Sequence, residues 1–285
     1  MELKINRTSI PTSEIILDDT QEQGVELNYV LPDYDPDIFR ILTSEICPVI
    51  QRRAISNDRI TYELRVDLRM LYCTSESNLV HCISQSQTYS RSIELPQQAE
   101  GISVDISPKT SYVNCRALSP RRLEIRGAIS IHIRAAGETT HEVISDVFGM
   151  HVQLRKTPVE YIMKKQQATK LFSLSQEIQL NASKPKVHAI LHAVPRVVHQ
   201  ECKTLAGKLL VQGELCVRLL YSWEENSHCG MESLEFPLSF SQIVDMEQID
   251  ESFCPLTEIR ILRCDIKQQE EQVFHCDLDL SLIHI

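Results

Sequence analysis

The chain has 285 residues, 42% of them hydrophobic and 24% charged, with a formal net charge of -10. That length suits about two domains. The acidic balance excludes a general nucleic-acid surface, which needs clustered Lys and Arg against phosphate, and electrostatic docking on anionic lipid.

The start, "MELKINRTSI", is polar and alternating, with no secretory n-region and h-region. The most apolar stretch, "VHAILHAVPRVV", is far shorter than the ~20 residues that a bilayer span requires. A soluble protein without membrane insertion is expected. The ten cysteines are scattered and form no CxxC, so they read as reduced thiols of a cytosolic protein rather than a disulfide framework.

In chain order, "DPDIFRIL" places Asp35 as N-cap and Pro36 at the first helical position, which predicts a short helix. Next, Ile60, Tyr62, Leu64, Val66, Leu68, Met70 and Tyr72 alternate with Arg59, Thr61, Glu63, Arg65, Asp67 and Arg69. This period of two predicts a strand with one buried and one wet face. The polar turns "SND" (56–58), "TSESN" (74–78) and "SPRR" (119–122) suggest successive hairpins. Leu123, Ile125, Gly127, Ile129, Ile131 and Ile133 make a second alternating strand, and "PVEYIMKKQQATK" (158–170) predicts another short helix.

Shifted by 149 positions, the pattern returns: Pro36 falls on Pro185, Arg69 on Arg218, Leu71-Tyr72 on Leu220-Tyr221, Glu76 on Glu225 and Cys115 on Cys264. The two alternating strands recur as Leu209, Val211, Gly213, Leu215, Val217, Leu219 and Tyr221, and as Phe274, Cys276, Leu278, Leu280 and Leu282. Even "LKINRT" (Leu3 to Thr8) overlays "VQLRKT" (Val152 to Thr157). Such self-similarity marks a duplicated unit. The expected fold is mainly β: two tandem, mostly antiparallel β domains over 1–149 and 150–285, each a sandwich or partly open barrel with one or two short helices. The second copy stops at the equivalent of Ala136, so a longer natural chain is expected.

The residues that could carry chemistry favour packing. His81-Cys82, His228-Cys229 and His275-Cys276 are strand neighbours that point to opposite faces and cannot share an ion. Cys115 sits in an inward set with Val113 and Ala117, and Cys264 with Leu262 and Ile266, as buried thiols do. "HAILH" sets His188 and His192 on one face of a helical turn, with His199 and Cys202 nearby. No Glu completes HExxH, and the shifted positions are Phe39, Thr43, Ile50 and Arg53. These three histidines are the only metal candidates. GxSxG, Walker A and GxGxxG motifs are absent. Asp18-Asp19, Asp277/Asp279 and Glu224-Glu225 read as wet carboxylates rather than a catalytic pair. Neither an enzyme nor a cofactor is expected.

The order of several segments carries a family resemblance. "LPDYDPDIFRILTSEICPVIQRRAISNDRITYELRVDLRMLYCTSES", "GKLLVQGELCVRLLYSWEENSHCGMESLEFPLSFSQIVD" (207–245) and "YVNCRALSPRRLEIRGAISIHI" (112–133) are similar to the SPOCS domains of clostridial sporulation proteins, SipL among them. The resemblance implies a non-enzymatic scaffold or adaptor of spore coat morphogenesis, in the mother-cell cytoplasm at the forespore surface. Its partners would be coat or coat-basement proteins and further copies of the chain. A SpoIVA-like scaffold ATPase is implied less directly, because the LysM module implicated in the SipL contact is not in this sequence. The alternatives are a metal- or ligand-binding β protein using His188, His192 and His199, and a cell-wall or spore-surface binding module.

Overall fold

A computed structural model describes residues 4–284 apart from 57, 76–78, 97–99, 150–151, 163–165, 182, 206, 226–227, 247–248, 250–252 and 271. The first half contains β1 (Lys4–Val30), β2 (Arg40–Ser56), β3 (Arg59–Cys73), β4 (Val80–Glu94), β5 (Glu100–Ser119) and β6 (Arg122–Phe148). The second contains β7 (Ala168–Gln179), β8 (Val187–Leu205), β9 (Lys208–Glu225), β10 (His228–Asp245), β11 (Thr257–Glu270) and β12 (Val273–His284). They form four antiparallel sheets, ordered β1-β6-β5, β2-β3-β4, β10-β9-β8 and β11-β12-β7. In each half two sheets face one another across a core, so the chain is two tandem β-sandwiches.

The period of two explains the cores. Ile60, Leu64, Val66, Leu68, Met70 and Tyr72 of β3 are buried with Ile125, Ile129, Ile131 and Ile133 of β6. In the second half Leu209, Val211, Leu215, Val217, Leu219 and Tyr221 meet Phe274, Cys276, Leu278, Leu280 and Leu282. Gly213 sits in this inward row where the ring of Phe240 crosses the strand, and a Cβ there would lie 2.7 Å from Phe240 Cζ. Proline obeys sheet position. Pro11, Pro48, Pro108, Pro195 and Pro237 lie on β1, β2, β5, β8 and β10, all edge strands, and the central strands β3, β6, β9 and β12 have none. A residue without an N–H cannot serve a ladder on both sides.

The duplication is visible in the bulges. The register of β2 slips between Ile41 and Thr43, leaving Leu42 unpaired, and that of β8 slips between Ile190 and His192, leaving Leu191. The two leucines occupy matching positions of the repeat.

Several expectations are corrected. The described residues contain no helix. Around Asp35 and Pro36 the backbone makes a turn, Asp35 donating to the carbonyl of Pro32 at 3.0 Å, and then bonds to distant segments: Ile38 donates to the carbonyl of Pro120 at 2.8 Å and Phe39 to that of Cys73 at 3.0 Å. Pro158–Ile162 is irregular, 163–165 lie outside the described residues, and β7 begins at Ala168. Gln167 is held by Val104, accepting from its N–H and donating to its carbonyl at 3.2 Å each. The overlay of "LKINRT" on "VQLRKT" is not structural. Lys4–Thr8 pairs with Val143–Phe148, whereas Val152–Thr157 is exposed and irregular. Leu262 leaves the inward row because β11 bulges between Ile261 and Arg263, and Ile259 and Ile261 take the core positions beside Cys264. Ala117 is likewise exposed. The acidic turn at 76–78, with Glu76, lies outside the described residues.

Candidate functional site

The polar row of β3 was expected to be wet. It is the seam between the halves. Arg65, Asp67 and Arg69 are half-buried, and Leu71, which ends the row, is buried. Arg65 donates to the carbonyl of Leu262 in the second half and pairs with Asp67 at 3.0 Å. In the opposite direction Arg260 donates to the carbonyl of Ile106 at 2.8 Å and to Asp105 at 2.5 Å. Arg53 donates to the carbonyl of Val104 and to Thr169 Oγ1 at 3.2 Å. Guanidinium groups thus satisfy carbonyls along the edge of β5 and at the bulge of β11, which no strand pairs among the described residues.

An apolar contact closes the other end. Leu191, 1% exposed, is held among Leu71, Val80, Cys82 and Leu220. The repeated Leu-Tyr dipeptide divides its labour here. Tyr72 and Tyr221 face inward into their own cores, while Leu71 and Leu220 face outward into the seam. Leu42, the counterpart of Leu191, stays 46% exposed.

The histidine candidates lie on β8, a strand and not a helical turn. His188 is exposed beside the first register slip of that strand. His192 pairs with Glu45 of the first half at 3.1 Å, and His199 with Glu201 at 3.2 Å. Burial and then Arg69 hold His192 below the usual imidazole range, against the pull of Glu45. His81 stacks on Tyr72 with ring centroids 5.4 Å apart, and burial followed by His188 lowers it too. Among the described residues no group of three or more His, Cys, Asp and Glu could hold a metal ion.

The cysteines are free thiols. Burial pushes Cys115 up to about 11, and burial followed by the charge of Glu45 raises Cys47 to about 12. Such thiols pack and do not attack. Cys82 faces the seam, on the opposite side of β4 from His81. The carboxylates that shift, Glu124 and Glu235, are lowered by hydrogen bonds from Arg116 and Arg218, the reverse of what a general acid needs. Asp279 accepts from Ser173 at 2.7 Å and Asp277 pairs with His275 at 3.2 Å, both on the outer face of β12. Trp223 packs over Gly230 against its own core.

Below the seam the halves leave an open groove. One cavity of about 600 Å³ is lined by Ile50–Ala54, Thr61, Glu63, Leu171, Arg260 and Ile283, among others. A second of about 640 Å³ shares Gln51, Arg52, Glu63, Leu171 and Leu262 with it and extends to Arg65, Arg263 and Ser173. Sequence reading missed groove and seam alike, because their charged residues look solvated and their apolar ones, Leu262 among them, read as core. The one signal was Leu71, an apolar residue closing a polar row.

A family model described as the SPOCS domain of SipL matches the chain twice, over residues 37–118 and 186–269, more than half its length. No curated protein and no solved structure matches it.

Proposed function

Because the chain belongs to the SipL SPOCS-domain family, its setting is sporulation, and we propose that it acts there as a non-enzymatic scaffold or adaptor of the spore coat. The observation that carries this reading is the coupling of two SPOCS domains through a seam of side chain to backbone bonds. Such a unit presents two binding modules in a set orientation, which favours simultaneous contacts. The family is not a known enzyme family, and the raised thiols and lowered carboxylates lend no support to catalysis. Sheet edges suit a protein that works by contact, since an unpaired strand offers main-chain groups to a partner. The partners would be coat or coat-basement proteins, or further copies of the chain, and the place the mother-cell face of the forespore. No helix of the described residues is long and apolar enough to cross a membrane.

The test is a pull-down from sporulating cells with the chain as bait. Enrichment of coat or coat-basement proteins is the expected result. Capture of none of them overturns the adaptor reading.

A further inference from the structure

The groove between the halves has the chemistry of a peptide site. Five arginines line it, Arg52, Arg53, Arg65, Arg260 and Arg263, against the wall carboxylates Glu63 and Asp279, in a chain whose formal net charge is -10. Arg53, Arg65 and Arg260 are committed to backbone carbonyls of the seam. Arg52 is exposed, and its side chain has no hydrogen bond or ion pair among the described residues. Among the described residues the Arg263 side chain holds only Asp265, at 3.0 Å, and it is 57% exposed. Apolar side chains, Ile50, Leu171, Leu262 and Ile283, separate the charges.

One border of the groove is an open strand edge. Leu171, Phe172 and Ser173 of β7 line it in succession. Among the described residues β7 pairs only with β12, without a register slip, and it carries no proline. Proline and bulges are the usual guards of an edge, and β2, which also borders the groove, has both. An edge guarded by neither proline nor bulge, beside Arg52 and the half-exposed Arg263, fits a strand that brings its own carboxylates.

We propose that the groove takes an extended acidic segment of a partner protein, its backbone on the edge of β7 and its carboxylates on Arg52 and Arg263. Main-chain bonds would supply affinity and the arginines selectivity, as in other strand additions. The proposal rests on the adaptor reading and names the chemistry of one of its partners.

The experiment measures fluorescence anisotropy of two labelled peptides of about twelve residues, one alternating Glu and Leu, the other Lys and Leu. The acidic peptide should bind the full chain, and raising salt should weaken it, as surface charge pairing requires. The double variant Arg52→Gln, Arg263→Gln leaves the seam arginines intact, sets no like charges against Glu63 or Asp279, and should weaken binding at least tenfold with an unchanged melting temperature. Equal binding of the basic peptide, or unchanged affinity in the variant, overturns the proposal. So does full displacement by millimolar inorganic phosphate, which marks a small-anion site. If the variant still captures coat proteins as the parent does, the groove assignment fails and the adaptor reading stands.

Discussion

Replacing Leu191 by alanine should cost more than the same change at Leu42, although both occupy the same bulge of the repeat. Leu191 is 1% exposed, closed in by Leu71, Val80, Cys82 and Leu220, while Leu42 is 46% exposed. Burying a leucine fully is worth ~1.5–3 kcal/mol, and a core Leu→Ala change costs about 2–5 kcal/mol once the cavity is included. The cluster around Leu191 is small and lies between two bodies that can shift together, so the low end applies, about 2–3 kcal/mol. At Leu42 roughly half the transfer is at stake and no cavity forms, so the cost should stay at about 0.75–1.5 kcal/mol. Urea unfolding measures both, with a built-in resolution: the single tryptophan, Trp223, reports the second half alone, whereas far-UV circular dichroism reports the whole chain. In Leu191→Ala the two signals should separate as the halves uncouple. Equal costs for the two variants, or coincident transitions in both with no loss at Leu191, would refute the assignment of the seam.

Three further outcomes are expected. Tyr62 is 2% exposed and its hydroxyl has no hydrogen-bond partner among the described residues, so Tyr62→Phe should leave stability unchanged or raise it by up to ~1 kcal/mol in chemical denaturation. Gly213→Ala should destabilise by about 1–3 kcal/mol through collision with Phe240 and the carbonyl of His199, whereas Gly24→Ala, with nothing within 4 Å of its Cβ, should be tolerated in the same assay. Stability should fall on acidification. His81 and His192 are both held below the ordinary imidazole value by burial, so the unfolded chain binds protons first. Their contribution is complete above about pH 6.5 and is lost as the pH drops from there through the folded values. Melting temperatures across that window, with His81→Phe and His192→Gln flattening the slope, are the check.

The cores were legible because burial on one face of a strand writes a period of two into the residues, and Ile60 to Tyr72 and Leu123 to Ile133 carry it cleanly. The helices were misread because a cap and a proline, as at Asp35-Pro36, state only local preference. The carbonyls of Pro120 and Cys73 compete for the same N–H groups from far along the chain. The seam was hidden for a different reason. Arg65 and Arg260 are half-buried by satisfying carbonyls, and a backbone carbonyl leaves no trace in composition or spacing. His188 and His192 looked like a helical pair because spacing of four is ambiguous until the element is known. On β8 the register slips twice before His192, which no pattern of side chains announces.

The pairing of Lys4 with Phe148 also sets an order of events during synthesis. Within its half β1 is made before the other strands, yet its partner among the described residues, β6, is the last of them. At ~5–20 residues per second, the first strand waits on the order of 10 s for its complement. Meanwhile β2, β3 and β4 can zip as neighbouring hairpins, which need no distant contact. The nascent chain therefore carries a partly folded sheet with one open face and a loose, Ile-bearing leader. That interval is when this protein is most exposed to mispairing, and Pro11, set within the leader, interrupts the ladder that a wrong partner would need.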